Sequence, residues 1–284
     1  MNPAIRLLRP KQWIKNGFVF APLFFSGRFI DAAAWQVTII AAICFCAIAS
    51  TVYIINDIRD VEEDRLHPIK QKRPLAAGAL TMASAYMLAV VCAMLAITLL
   101  YMRLPAECTM IAGLYVASNA FYTYILKRIA IIDIFFVAFC YVLRVLMGAY
   151  ALQVVVSPWI ILATFTLALF LGFGKRYHEM GIAEYAAHKP NLKHYSRDLL
   201  DRLVTISGGA ALMIYAIYAA ELAADTGNVE LVYTVGFVAF GLFRYLQSIH
   251  VYGQGGEPET VILRDKLQLV NLALWLATTM WILF

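Results

Sequence analysis

The chain has 284 residues, of which 62% are apolar and only 14% charged, with a net charge of +5. A soluble domain usually carries about 25% charged residues, so this composition excludes an ordinary water-soluble fold and points to helices solvated by lipid. In a soluble protein the positive excess would suggest nucleic acid; here its distribution between apolar segments matters more than its sum, and no nucleic-acid partner is expected.

A helix needs about 20 apolar residues to cross the hydrocarbon core. Read in chain order, the spans fall at 12–27, 34–56, 81–101, 106–125, 131–151, 158–174, 203–221, 230–249 and 266–284. The first is the weakest, because its uninterrupted apolar part is short and Lys15 and Asn16 sit near its start; a lysine there can snorkel to the interface. Arg6, Arg9, Lys11 and Lys15 ahead of it imitate a signal peptide, but Gly27 is followed by Arg28 and Asp31 instead of a small-residue cleavage site, so the segment reads as an uncleaved span. No Ser/Gly/Pro-rich linker and no charge-rich soluble block interrupts the chain. The expectation is an all-α, polytopic membrane protein of nine helices forming one domain over residues 1–284.

Charge placement orients it. With the N-terminus inside, segments 1–16, 57–80, 126–130, 175–202 and 250–266 hold 19 of the 23 Lys and Arg, against Arg28 and Arg103 in outside loops. Basic residues concentrate on the cytoplasmic side of a membrane. The prediction is therefore an inner (plasma) membrane protein with a cytoplasmic N-terminus and the C-terminus outside. Cys44, Cys46, Cys92, Cys108 and Cys140 lie in or beside apolar runs without a CxxC pair, which reads as packing and not as a zinc or disulfide framework.

Four polar sets stand at the inner ends of these spans. In Asn56-Asp57-Ile58-Arg59-Asp60-Val61-Glu62-Glu63-Asp64, the aspartates at offsets 0, 3 and 7 would fall on one face of a helix. Three carboxylates on one face repel unless a cation sits among them, and magnesium is often held by carboxylates plus substrate phosphates. Asp57, Asp60 and Asp64 are the candidate metal ligands, and Asn56 can add an amide oxygen. Lys70, Lys72 and Arg73 follow at once; metal plus nearby cations is what a diphosphate requires. The bland reading, a solvated acidic helix end, lacks a reason for that basic partner.

The second set is Tyr124, Lys127, Arg128 and Asp133, with Asp133 three residues into an apolar run. Intramembrane carboxylates are costly and mark function. Arg144 follows about three turns on, on the same helix face but roughly 16 Å away, so separate roles at one polar cavity are expected in preference to an Asp133–Arg144 pair. The third set, Lys175, Arg176 and Arg197, offers further phosphate ligands, set against ordinary positive-inside charge. His188 and His194 read as loop residues. The fourth, Arg9-Pro10-Lys11-Gln12-Trp13-Ile14-Lys15-Asn16, combines an interfacial tryptophan with Lys15 and Asn16 facing the polar cavity, or a basic entry that binds anionic lipid headgroups.

Asn56-Asp57-x-x-Asp60-x-x-x-Asp64 after a long apolar helix resembles the first aspartate-rich motif of the UbiA-type intramembrane prenyltransferase superfamily, and the resemblance extends over essentially the whole chain. It departs at Asp133, where Val137 stands four residues on in place of the paired aspartate usual near the start of span five. Residues 9–16, Lys175-Arg176-x-x-Glu179 and Tyr195-Ser196-x-x-Leu199-Leu200 are similar to motifs of the decaprenyl-phosphate phosphoribosyltransferase branch. The resemblance implies Mg2+-dependent transfer of a 5-phosphoribosyl group from phosphoribosyl diphosphate (PRPP) to a polyprenyl phosphate, for cell-envelope arabinan-type precursors. Asp57, Asp60 and Asp133 would act at the reacting centre. Lys15, Asn56, Lys72, Arg73, Tyr124, Lys127, Arg128, Arg144, Lys175, Arg176 and Arg197 would bind substrate. Oligomeric state stays open. The alternatives are a conventional prenyltransferase using a prenyl diphosphate, and a transporter or lipid-binding protein; against the latter, no repeated halves are present and the charges gather at one end.

Overall fold

The computed structural model describes residues 2–182 and 190–283. Its long helices are α1 (Ala32–Arg59), α2 (Met82–Arg103), α3 (Ala106–Tyr124), α4 (Ile132–Leu152), α5 (Pro158–Met180), α6 (Arg197–Thr226), α7 (Val235–His250) and α8 (Lys266–Leu283). Among the described residues, seven helices are long and apolar enough to cross a membrane, the 3₁₀ turn Val229–Thr234 extending α7. The chain is thus an all-α, multi-pass membrane protein.

Two of the nine expected spans differ. Segment 12–27 is not one long helix: Pro10–Phe20 forms an eleven-residue 3₁₀ helix, followed by the short α-helix Ala21–Phe25. Pro10 and Pro22 open the two pieces and remove hydrogen-bond donors that a continuous α-helix would use. A 3₁₀ helix rises about 2.0 Å per residue, so the first piece covers about 22 Å. Segment 106–125 does become a helix, α3, but Glu107, Ser118 and Asn119 dilute its apolar content and it is not among the seven.

Contacts divide the chain into two compact units: Met1–Leu126 with Leu143–Val155, and Lys127–Val142 with Val156–Phe284. In the first, α1 packs along α2. The buried face of α2 is small, Ala85, Ala89, Cys92 and Ala96, while Met87, Val90, Val91 and Met94 are exposed. Small residues let helices approach closely in lipid, and the exposed apolar stripe is what lipid solvates. The 3₁₀ helix lies on α1, with the Trp13 indole N–H donating to Ser50 Oγ at 3.0 Å. It also meets Gly148 of α4, where a Cβ would sit 1.9 Å from the Val19 carbonyl oxygen. Backbone offers no rotamer escape, so Gly148→Ala is expected to displace the 3₁₀ helix and cost about 1–3 kcal/mol or more, an overpacking penalty readable by thermal unfolding in detergent.

In the second unit, α5 and α6 form the main pair, and Ile134, Ala168, Phe170, Phe173, Leu200, Val204, Leu242 and Tyr245 make the core. The close approach is at Gly208, whose absent Cβ would meet the Phe170 ring at 2.9 Å. Ser196 starts α6 by accepting the Leu199 N–H at 3.0 Å, satisfying one of the free donors of the first turn. α8 is tied to α7 by amide side chains: Asn271 donates to the Phe237 carbonyl at 2.9 Å and Gln268 to that of Gly241 at 3.1 Å. Arg244, which falls within a predicted span, is neutralised by Asp265 at 2.6 Å.

Candidate active site

In the first unit the acidic motif does not continue as one helix. α1 ends at Arg59, and Asp60 (φ −90°, ψ 10°) leads into a second short helix, Val61–Leu66. A single face for Asp57, Asp60 and Asp64 requires unbroken 3.6-residue periodicity, and the break at Asp60 removes it. Among the described residues no three acidic, His or Cys side chains converge on one point. What comes together is Asp57 and Asp64, 3% and 2% exposed, through Arg73: one guanidinium nitrogen lies 3.0 Å from Asp57 Oδ1 and 2.6 Å from Asp64 Oδ2. Arg9 adds a second guanidinium on Asp57 Oδ1 at 2.5 Å, and Lys70 Nζ stands 3.7 Å from Asp64 Oδ1. Asp60 pairs instead with its neighbour Arg59 at 2.6 Å. Arg59 also lies over the exposed Tyr124 ring at 4.9 Å, and Thr123 donates to Asn56 Oδ1 at 3.4 Å, so the end of α3 is fastened beside the end of α1.

The loop carrying Lys70, Lys72 and Arg73 is ordered by His67. Its Nδ1 accepts the Ile69 N–H at 3.2 Å and the Lys70 N–H at 3.4 Å, and Arg6 donates to the Lys72 carbonyl at 3.0 Å. The acceptor nitrogen, not the ring, holds the turn. His67→Asn, whose Oδ1 takes the place of Nδ1, is expected to keep most activity, whereas His67→Phe should lose about tenfold as Arg73 loses its platform, each unsatisfied amide costing about 1–3 kcal/mol. Steady-state kinetics on both variants check this.

Arg144 is only 3% exposed. Its Nε donates to Asn16 Oδ1 at 2.9 Å and its Nη2 to the Tyr115 hydroxyl at 3.4 Å, with the guanidinium 5.1 Å above the Phe45 ring and 5.3 Å from that of Tyr115. Stacking on aromatic faces and an amide partner lets this charge sit in apolar surroundings. Lys15, beside Asn16, is half-buried, and Lys72 is exposed.

The second unit holds Asp133, fully buried. Arg176 donates to Asp133 Oδ2 through Nε at 3.2 Å and Nη2 at 2.6 Å, Asn191 donates to the same oxygen at 2.8 Å, and the Tyr195 hydroxyl reaches Oδ1 at 3.3 Å. Arg176 Nη1 also bonds Glu179 Oε2 at 2.6 Å. Burial, reinforced by the Asp133 carboxylate and partly offset by the Ile131 N–H and Arg176, pushes the Tyr195 phenol up to about 12. It therefore stays protonated and donates to Asp133 while accepting the Ile131 N–H at 2.5 Å. Ile131 has φ 70°, a left-handed conformation that a β-branched residue rarely adopts. Asp133 and Arg144 thus have separate partner sets, and Asp133 is paired with Arg176, which the sequence places in a different polar set. Lys127 and Lys175 are half-buried, and exposed Arg197 donates to the Tyr177 hydroxyl at 3.1 Å and lies 4.9 Å over its ring. The side chain of Arg128 and the whole of His188 lie outside the described residues.

Arg9, Glu179, Asn191 and Tyr195 are absent from the sequence-derived site, and Asn16 enters it only beside Lys15, as a residue facing the polar cavity. A signal existed for most of them: Arg9 and Asn16 bound the first motif, Glu179 closes the second and Tyr195 opens the third. Each turns out to be the partner of a charged residue already singled out.

A lipid-embedded helical chain whose α1 ends in this aspartate–arginine cluster matches a known class. Residues 18–259 match the family model of the UbiA prenyltransferase family, and the chain belongs to that family. It is similar in fold to the structure of a UbiA homolog from Archaeoglobus fulgidus bound to GPP and Mg2+, with a TM-score of 0.74 and 17% identity over 99% of each chain. Within the family it is 36% identical to the decaprenyl-phosphate phosphoribosyltransferase of Corynebacterium glutamicum, over 95% of this chain and 83% of that one. It is 34% identical to the protein of that name in Mycobacterium tuberculosis, over 96% and 92%.

Proposed function

We infer that this chain, working as one transferase domain, moves the 5-phosphoribosyl group of PRPP onto a polyprenyl phosphate of the decaprenyl type and releases diphosphate. The observation that carries the reading is similarity over nearly the full length of this chain and of relatives that bear that name. The cluster of Asp57, Asp64, Arg9 and Arg73 is chemically suited to it and is the proposed diphosphate site, with the active side facing the cytoplasm, where a water-soluble donor is available.

The donor set fits a hard divalent cation. It is all oxygen, and Asp64 Oδ1 is buried with no hydrogen bond reaching it. The proposed ligands are Asp57 and Asp64, with Asp60 and Asn56 beside them. Bound there, Mg2+ would neutralise charge on the departing diphosphate. Arg73, tethered to two aspartates, keeps its remaining donors positioned for phosphate oxygens, and Lys70 and Lys72 add charge from the same loop. Fixed positive groups aimed at developing negative charge need no reorganisation at the moment of reaction. The bond from ribose C1 to the diphosphate oxygen breaks, with the electron pair leaving on diphosphate. A new bond forms from C1 to a lipid phosphate oxygen on the opposite face. That oxygen is already anionic, so the reaction requires neither a protein nucleophile nor a strong general base, and positioning dominates.

The test is product analysis with purified protein, labelled PRPP and polyprenyl phosphate in detergent micelles. Label in the lipid fraction is expected. Label moving from a prenyl diphosphate onto a soluble acceptor would instead make this a conventional prenyltransferase, and flux into liposomes without turnover would make it a transporter.

A further inference from the structure

We propose that Arg9 is a further diphosphate-binding residue, which occupies Asp57 in the donor-free protein and exchanges onto the diphosphate when metal and donor arrive. This rests on the reading of the first unit's cluster as the diphosphate site.

Two guanidinium groups share one oxygen, Asp57 Oδ1, with Arg9 at 2.5 Å and Arg73 at 3.0 Å. A dication ligated by that oxygen would be close to both guanidinium groups, and like charges held that near one another repel strongly where water is partly excluded. One arginine must give way. Arg73 is held by a second carboxylate, Asp64 at 2.6 Å, whereas the ion pair shown for Arg9 is with Asp57 alone. Arg9 is therefore the group that leaves.

The local structure limits where it goes. Leu8, immediately before it, is pinned because its carbonyl accepts from Ser50 Oγ at 3.0 Å, and Ser50 Oγ in turn accepts from the Trp13 indole. Arg9 has φ 55° and is followed by Pro10, so its backbone is set on both sides. Its guanidinium lies 5.1 Å over the ring of Tyr53, one turn before Asp57 on α1. A pinned backbone, an aromatic rest and a side chain 26% exposed leave a short swing, open to a water-borne anion. The net exchange is neutral in count: Asp57 trades a monovalent cation for the metal, and Arg9 trades a carboxylate for phosphate oxygens, with which its planar fork bonds equally well.

The exchange predicts two effects of opposite sign in one variant. Full-length protein is titrated with Mn2+ by electron paramagnetic resonance, first alone and then with inorganic diphosphate. Arg9→Gln is expected to bind Mn2+ about tenfold more tightly than wild type without diphosphate, and the Mn2+–diphosphate pair about tenfold more weakly. Arg9→Lys should restore diphosphate binding in part, and thermal unfolding of all three proteins confirms that they are folded. Unchanged or weaker Mn2+ binding alone in Arg9→Gln overturns the exchange, since a merely structural arginine would not compete with the metal. Unchanged diphosphate binding overturns the assignment to substrate. Wild-type protein that binds no Mn2+–diphosphate removes both this proposal and the diphosphate site beneath it, whereas intact binding with no transfer from PRPP removes only the proposed reaction.

Discussion

Asp57→Asn is expected to lower phosphoribosyl transfer by about 10²–10³-fold, the loss typical of removing one fixed electrostatic group at a reacting centre. The carboxylate is 3% exposed and shared by two arginines. Breaking a fully buried ion pair destabilises by about 3–5 kcal/mol. Here Arg9 and Arg73 are 26% and 30% exposed, so water takes up part of their charge once Asp57 is neutral, and Arg73 keeps Asp64. The stability loss should fall below that range, which separates a chemical effect from unfolding. Asp60→Asn serves as the comparison. Asp60 is 22% exposed and pairs with the adjacent Arg59, and exposed pairs contribute about 0–1 kcal/mol. Its loss of activity should be at least tenfold smaller than that of Asp57→Asn. Equal turnover for wild type and Asp57→Asn, or equal losses for the two aspartates, would remove the cluster from the reaction.

The inequality between the two aspartates is the part that sequence spacing did not reveal. Offsets 0, 3 and 7 describe a face only while the helix continues, and nothing in Val61-Glu62-Glu63 marks a break, since there is no Gly or Pro. The long spans were legible because about 20 apolar residues in lipid have one stable conformation: 81–101 became Met82–Arg103, and 131–151 became Ile132–Leu152. The first segment misled for the same reason in reverse. Its apolar content is that of a span, but Pro10 and Pro22 change its geometry, and Lys15 and Asn16 were the visible warning. The partners were beyond reach. Arg9 and Asp57 are 48 residues apart, Asn16 and Arg144 are 128 apart, and Asn191 and Asp133 are 58 apart. Local periodicity carries no information over such separations; only packing brings the pairs together. The motif strings around Arg9, Lys175 and Tyr195 singled out residues that the structure places in these charged clusters, without revealing what each one touches.

That last point decides what Asp133 does, and Asp133→Ala is expected to act first on stability. The carboxylate has no exposed surface, and its oxygens take four hydrogen bonds, two from Arg176 and one each from Asn191 and Tyr195. Removing it strands these donors. Glu179 still neutralises Arg176 at 2.6 Å, which moderates the electrostatic part and puts the expected loss at about 3 kcal/mol, the low end for a broken buried pair. The damage should be local before it is global. Asn191, Leu192 and Tyr195 are buried in segment 191–196, and the Tyr195 hydroxyl also holds the Ile131 N–H in its left-handed turn. Hydrogen exchange should therefore speed up in 190–196 and at the start of α4 in Asp133→Ala, with activity falling in proportion to the folded fraction. Asp133→Asn keeps the shape and one accepting oxygen and should recover most of both. A contrary result has a clear form. If Asp133→Asn unfolds at the wild-type temperature and exchanges at the wild-type rate yet transfers nothing, the carboxylate charge serves the reaction itself, and the four bonds seen here describe its resting state.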